Sequence, residues 1–266
     1  MESPESAPSF DPVWDAMLTG THPALRRGRH FFRLISPQQV PRCRFCLAPF
    51  AGFSAPIARA MGRRPWKRNP HICEQCETFF REHPGGAEIE IAVLFADVRG
   101  STSMAARMRP AEFGALMQRF YLAANKVFID SDAMVDKMVG DEVIGLFVPA
   151  LSGPAIRREA VLAGMKLLRA TGHGEQGGPW LPIGVGVHAG KTFVGSLGSG
   201  DGAYEFVALG DTMNLAARLV GAAAGGEIVI SDAVWSEVAG ELTGEPRTLT
   251  LKGFEQPVSA HVARVT

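Results

Sequence analysis

Four cysteines, the whole complement of a 266-residue chain, stand in two pairs, Cys43-x-x-Cys46 and Cys73-x-x-Cys76, with 26 residues between them. Each Cys-x-x-Cys turn lets two sulfurs bite one ion. Two such turns complete a tetrahedron, so the spacing points to a closed four-thiolate zinc site, with one structural Zn²⁺ per chain. The stretch between the pairs carries Pro49, Gly52, Pro56, Gly62, Pro65 and Pro70. It is too loop-rich to build a core of its own, and a metal would hold it. A closed site has no open coordination position and so does no catalysis. A redox dithiol and a pair of disulfides are the alternatives, and His71 could stand in for one sulfur.

The acidic, Ser/Pro-rich start MESPESAPSF has no basic segment followed by an apolar one, so it does not read as a secretory signal. No apolar run approaches a membrane span. The expected compartment is therefore the cytosol, where structural disulfides are disfavoured. Residues 1–86 carry 12 Lys+Arg against 7 Asp+Glu, a net of +5, in a chain whose total is zero. Residues 87–266 therefore carry −5. This asymmetry suggests two units with different surfaces. It is a weak charge signal, and nucleic acid is not the expected partner.

The pattern divides the chain into a tail and short helices over 1–36, the cysteine module over 37–86, and a larger domain over 87–266. Residues 1–12 read as a disordered tail. Residues 13–35 read as one or two short helices interrupted by Gly20 and Pro23. His83-Pro84-Gly85-Gly86 reads as a turn and linker. Ile89–Phe95 is a strongly apolar strand candidate. A helical period runs over 110–129, and two short strands, 133–139 and 142–148, meet at Gly140-Asp141 as a hairpin. A helix at 155–171, a strand at Ile183–Ala189 and a strand ending near Leu209 follow. The remainder reads as a helix at 211–223, a strand at 227–230, a helix at 232–239 and strands near 247–251 and 258–264. Interleaved strands and helices give an α/β or α+β class.

Asp97 stands just past the first apolar strand, in Asp97-Val-Arg-Gly100-Ser101-Thr102, where backbone N–H groups of the following turn can face a polyphosphate. Asp141 stands at the hairpin tip. If the strands are neighbours, these two carboxylates can hold a pair of Mg²⁺ ions; the alternative is that each is a turn-former or helix cap.

Residues 89–264 resemble the catalytic domain of the class III nucleotidyl cyclases, the adenylate/guanylate cyclase family. The resemblance rests on five ordered blocks: Leu94-Phe-Ala-Asp97-Val-Arg-Gly100-Ser-Thr102, Lys137-Met-Val-Gly140-Asp141-Glu-Val-Ile-Gly-Leu-Phe147, Gly184-Val-Gly186-Val-His188-Ala-Gly190, Leu209-Gly210-Asp211-Thr212-Met-Asn214-Leu-Ala-Ala-Arg218-Leu219 and Leu251-Lys252-Gly253-Phe254. It implies an α+β, ferredoxin-like βαββαβ core working as a head-to-tail homodimer with shared sites. It implies two Mg²⁺ or Mn²⁺ per site on Asp97 and Asp141. From the other subunit would come Asn214, the transition-state arginine Arg218 and the phosphate-binding Lys252. Gly100 and Ser101 would line the phosphate turn. Asn214 and Arg218 are four apart on a helix and share a face. Asp211 reads as a helix N-cap and His188 as a packing or hydrogen-bonded residue.

Two positions would read the base. Lys137 resembles adenylate cyclases, where a cation meets a ring nitrogen of adenine. Val207 departs from the family, which commonly has Asp or Thr there to accept from the adenine amino group. Glu205 compensates if the strand shifts by two. The resemblance thus favours ATP and conversion to 3′,5′-cyclic AMP and pyrophosphate. The alternatives are a cyclase of GTP or a pyrimidine nucleotide, or a non-catalytic module that senses nucleotide and binds a partner.

Overall fold

The computed structural model describes residues 11–36, 40–67, 69–199 and 203–265. The tail reading for 1–12 falls almost wholly outside them. In chain order the elements are α1 (Pro12–Thr19), α2 (Pro23–Ile35), α3 (Ala55–Ala60), α4 (Glu74–Glu82), β1 (Gly85–Val98), α5 (Ser101–Arg107), α6 (Pro110–Asp130), β2 (Met134–Val139), β3 (Glu142–Phe147), α7 (Pro149–Ser152), α8 (Ile156–Ala170), β4 (Ile183–Ser199), β5 (Ala203–Leu209), α9 (Asp211–Ala222), β6 (Glu227–Ser231), α10 (Asp232–Trp235), β7 (Glu245–Leu249) and β8 (Val258–Arg264). None of these helices is long and apolar enough to cross a membrane.

The chain forms two compact units. One comprises Met1–Ile89, Pro149–Gly153 and Lys191–Leu209; the other comprises Glu90–Val148, Pro154–Gly190 and Gly210–Thr266.

The sheet runs β2-β3-β1-β4-β6-β8-β7, with β5 pairing β4 off that path. The first four strands with α6 and α8 make the βαββαβ unit expected from the sequence. In the second unit, β1 alternates: Ala92, Leu94, Ala96 and Val98 enter a core with Phe120, Ala124 and Phe128 of α6 and Val161, Leu167 and Leu168 of α8. The alternate side chains Ile91, Val93 and Phe95 are buried as well. A strand covered on both faces needs such a continuous apolar run. Phe120 and Phe128 are fully buried, each worth about 1.5–3 kcal/mol relative to exposure.

The other face of the sheet carries α9. Its Leu219 and its C-cap residue Ala223 pack with Val229, Ala260 and Val262. Three glycines of β4 lie beneath it. A Cβ at Gly186 would stand 2.3 Å from Val220 N, one at Gly184 2.9 Å from Ala223 Cβ, and one at Gly190 2.8 Å from Thr212 Oγ1. The glycine block of the sequence is thus the track on which α9 lies.

In the first unit, Asp11 caps α1 by accepting from Val13 N at 2.8 Å, and Gly20 ends the helix with φ 80. Pro23 then opens α2 at a position where its missing N–H costs nothing. The two interruptions are therefore one stop and one start.

Three sequence readings are corrected. Gly85 and Gly86 are not a linker but the first residues of β1. A Cβ at Gly86 would meet Val194 O at 2.7 Å, so the glycine is there for close strand approach. The helix read over 232–239 stops at Trp235 and continues as turns. Asp211 is the first helical residue of α9, and the N-cap is Gly210.

Candidate functional site

Antiparallel pairing of β1 with β3 sets Asp97 opposite Glu142. Asp141 precedes Glu142 at the hairpin tip, and its carbonyl accepts from Val98 N at 3.1 Å. The two strand-end aspartates are therefore neighbours. Since Ala96 and Val98 face the α6/α8 core, alternation turns Asp97 to the opposite face, where it is about a quarter exposed. Gly140 adopts φ 63, which a tight turn requires. Tyr121 of α6 donates its hydroxyl to Gly140 O at 2.6 Å and fixes the tip. The sequence shows Tyr121 only as one member of an apolar stripe; its hydroxyl was the available signal.

Two further residues complete the cluster. Arg99 pairs with the Asp97 carboxylate. Its Nη1 also donates to Val220 O and Ala223 O, both at 3.4 Å, at the C-terminal end of α9. Ser101 Oγ donates to Asp141 Oδ2. Burial lowers the Arg99 pKa, while Asp141 and Glu142 act to raise it. Burial, and then the nearby Asp141 carboxylate, push Glu142 up. Burial is the larger cause of both shifts, and the Asp141 carboxylate opposes the first and adds to the second. Carboxylate oxygens of Asp97 and Asp141 fit a hard divalent cation such as Mg²⁺ or Mn²⁺. Arg99 was not singled out from the sequence, though the Asp-x-Arg spacing on one strand face carried it.

The remaining site candidates fall elsewhere. Asn214 and Arg218 are both exposed on one face of α9, one turn apart. Lys252 is exposed in the turn after Leu251, which is buried with Leu219. Lys137 lies on β2 opposite Ile144, just past a bulge at Val135/Lys137. Gly100, with φ 74, is the N-cap of α5. Val207 is half-buried on β5 opposite Gly195, in the first unit. The chain thus gathers Asp97, Asp141, Glu142, Arg99 and Ser101 in one cluster, with Asn214 and Arg218 as a second group exposed on α9.

His188 is held where the sequence placed it, as a hydrogen-bonded residue: its Nδ1 lies 2.7 Å from Ser231 Oγ.

All four cysteines are buried and unbridged. Their sulfurs lie within 4.8 Å of one another. Cys43 Sγ is 3.9 Å from Cys76 Sγ and Cys46 Sγ is 3.6 Å from Cys73 Sγ. A tetrahedral zinc thiolate requires sulfurs about 3.8 Å apart. The cluster therefore fits the ion, and His71 is not among its members. The first knuckle closes through Leu47 N to Cys43 O at 2.8 Å and Cys43 N to Ala48 O at 2.9 Å. In the second, Cys73 is the N-cap of α4. Burial raises the Cys43 thiol, whereas hydrogen bonds from the other three sulfurs lower Cys46. Arg29 straps the module: Nε donates to Phe45 O at 2.6 Å, Nη1 to Gly20 O at 3.1 Å and Nη2 to Ala150 O at 3.3 Å.

Residues 87–253 match the family model described as the adenylate and guanylate cyclase catalytic domain. An adenylate cyclase of Anabaena cylindrica is 27% identical over 135 residues, 49% of this chain and 27% of that protein. An uncharacterized protein of Mycobacterium tuberculosis is 30% identical over 189 residues, 67% of this chain and 32% of that protein. The match thus spans a third or less of the length of these curated relatives. Among solved structures, the guanylyl cyclase Cya2 superposes with a TM-score of 0.60 at 27% identity, covering 67% of this chain and 93% of that one. The adenylyl cyclase CyaB from P. aeruginosa gives 0.60 at 25% identity, covering 68% and 96%. With the strand order, the paired aspartates and the α9 surface in place, the chain belongs to the adenylate/guanylate cyclase catalytic domain family, here preceded by a four-cysteine metal-binding cluster.

Proposed function

We propose that this chain is a nucleotidyl cyclase that converts a nucleoside triphosphate, with ATP favoured, into the 3′,5′-cyclic monophosphate and pyrophosphate. The observation that carries this reading is the juxtaposition of Asp97 and Asp141 at adjoining strand ends. Residues 87–266 act as the catalytic domain, and residues 37–86 as the zinc-held module.

Asp97 and Asp141 would hold two Mg²⁺ or Mn²⁺ ions. When bound, these supply Lewis-acid stabilisation to the attacking and leaving oxygens. The ribose 3′-hydroxyl gives up its proton to water as its oxygen attacks the α-phosphorus in line, and pyrophosphate leaves with the electron pair of the broken P–O bond. Charge developing on the α-phosphoryl oxygens needs a fixed cation, and Arg218 is the guanidinium suited to it. Asn214, one helical turn earlier, orients the ribose. Lys252 offers a point charge to the terminal phosphates. The exposure of Asn214 and Arg218 on α9 and of Lys252 in its turn leaves them available to a second subunit, which supports a homodimer in which each site takes its aspartates from one subunit and Asn214, Arg218 and Lys252 from the other. Arg99 keeps the Asp97 carboxylate oriented before the cations arrive, and Ser101 does so for Asp141.

Lys137 favours adenine by donating to a ring nitrogen. Val207 has no acceptor for the adenine amino group, and this observation favours a second reading with a different or relaxed base. Turnover of the four common ribonucleoside triphosphates by zinc-loaded protein with Mn²⁺, followed by mass spectrometry, tests both. Cyclic AMP as the main product supports the first reading. Another cyclic nucleotide supports the second. No product from dimeric protein overturns the cyclase assignment.

A further inference from the structure

Phe206, the residue before Val207, lies in an aromatic cluster built by the cysteine module. Its ring centroid is 6.3 Å from that of Phe80 and 6.4 Å from that of Trp14. Phe80 in turn lies 5.2 Å from Phe45 and 5.3 Å from Trp14. Both knuckles feed this cluster. Phe45 stands between Cys43 and Cys46. Phe80 stands four residues after Cys76 on α4, which places the two on one side of that helix. Trp14 is fully buried, and its Nε1 donates to His83 O at 3.2 Å, at the end of α4.

α4 has nine residues, too few for a helix to persist on its own in water. Cys73 is its N-cap and Cys76 lies in its first turn, so that turn is fixed by two of the four sulfurs. On the far side, Val207 pairs with Gly195. A Cβ at Gly195 would stand 2.3 Å from Gly85 O, so the module's exit strand lies directly on the backbone opposite Val207.

We propose that the four-cysteine knot is a metal-dependent clamp on the β4–β5 hairpin. The bound ion fixes α4 and the Cys43–Cys46 turn, these hold Phe45, Phe80 and Trp14, and the cluster seats Phe206. Phe206 thereby acts as a positioning residue for Val207. Its consequence for nucleotide choice rests on the cyclase reading above, while the clamp itself does not.

Hydrogen exchange of the full chain, read by mass spectrometry with and without Zn²⁺, tests the clamp. Metal content is measured in each sample, and a reductant keeps the thiols reduced. Removing the ion is expected to speed exchange over residues 203–209 roughly tenfold, as for a segment that opens locally, while α8 and β6 keep their protection. Phe206→Ala, with zinc retained and residues 73–82 still protected, is expected to reproduce the rise over 203–209. Unchanged exchange over 203–209 after metal loss overturns the clamp. So does an equal rise in α8 and β6, which would mean that the whole fold had loosened. Absence of any cyclic product from zinc-loaded protein overturns the function and the consequence for Val207, and the exchange data alone then decide the clamp.

Discussion

Asp97 faces Glu142 across the β1–β3 ladder, and this one register sets Asp97 beside the turn that carries Asp141. A shift of one residue would turn Asp97 into the α6/α8 core and separate the pair. The register is held by the apolar face that Ala92, Leu94, Ala96 and Val98 bury. The placing of Asp97 beside the Asp141 turn is thus a consequence of core packing rather than of the loops alone.

If Asp97 serves a site completed by another subunit, Asp97→Ala and Arg218→Ala should each abolish turnover, by at least about 10³-fold for loss of an electrostatic group acting in the transition state. Mixed in equal amounts, the two inactive proteins should recover activity, because each heterodimer holds one intact site. Circular dichroism and thermal melts check that the folds survive. Heterodimers that form but stay inactive would refute the shared site.

The fit of α9 on β4 predicts an unusual cost for the smallest possible change. At Gly186 an added methyl would stand 2.3 Å from Val220 N and 2.8 Å from Ala216 O, and backbone atoms cannot swing aside. Gly186→Ala should cost about 3 kcal/mol, lowering Tm by roughly 6–12 °C. It should also displace Asn214 and Arg218 with their helix, so kcat falls further than stability explains. Gly114→Ala is the control. Gly114 lies within α6 with open space around it, and the change should stabilise the helix by up to about 1 kcal/mol.

His188 predicts an acid-sensitive fold. Burial, helped by Arg157 and opposed by Glu90, lowers its pKa from 6.5 to about 4. The folded state therefore resists protonation that the unfolded chain accepts. The stability this represents is complete above pH 6.5 and is lost as pH falls from 6.5 through 4. After allowance for partial exposure, the loss is about 2 kcal/mol. His188→Asn keeps a polar partner for Ser231 Oγ and removes the titration. Its Tm should fall less steeply than that of the parent between pH 6.5 and 4. Equal slopes would show that His188 is not buried in the neutral form.

What could be read before the structure depended on how local each signal is. The strand before Asp97 and the Gly140-Asp141 turn are encoded within a few residues, and both were legible. The two Cys-x-x-Cys pairs were legible as a metal site because the spacing within each pair is itself the geometry. Gly184, Gly186 and Gly190 could be read as a strand. That they form a track for α9 could not, because the reason lies more than 30 residues away in Val220 and Ala223. α4 was missed because a nine-residue helix starting inside a Cys-x-x-Cys pair has too few turns to display a period. Gly85-Gly86 looked like a linker because the close approach of Val194 and Gly195 that requires glycine has no local trace. The same holds for Trp14 and Phe206, which meet from distant parts of the chain.

Base choice is the point at which Val207 can be made to answer directly. On the proposed reading, Lys137 on β2 would supply a donor for adenine, and Val207 on β5 has no acceptor to offer. Val207→Thr keeps the branched shape that suits a strand and adds a hydroxyl able to accept from the adenine amino group. One added hydrogen bond of about 1 kcal/mol should raise the ATP-over-GTP ratio of kcat/KM about fivefold. Val207→Asp should raise it further, because a charged acceptor makes the stronger bond. Lys137→Glu should lower the ratio, since a carboxylate accepts where adenine offers only an acceptor. Competition assays with ATP and GTP in one mixture read the ratio directly. If both Val207 variants leave it unchanged while Lys137→Glu shifts it, the base is read from β2 alone and Val207 packs the hairpin. If none of the three moves it, neither position touches the base.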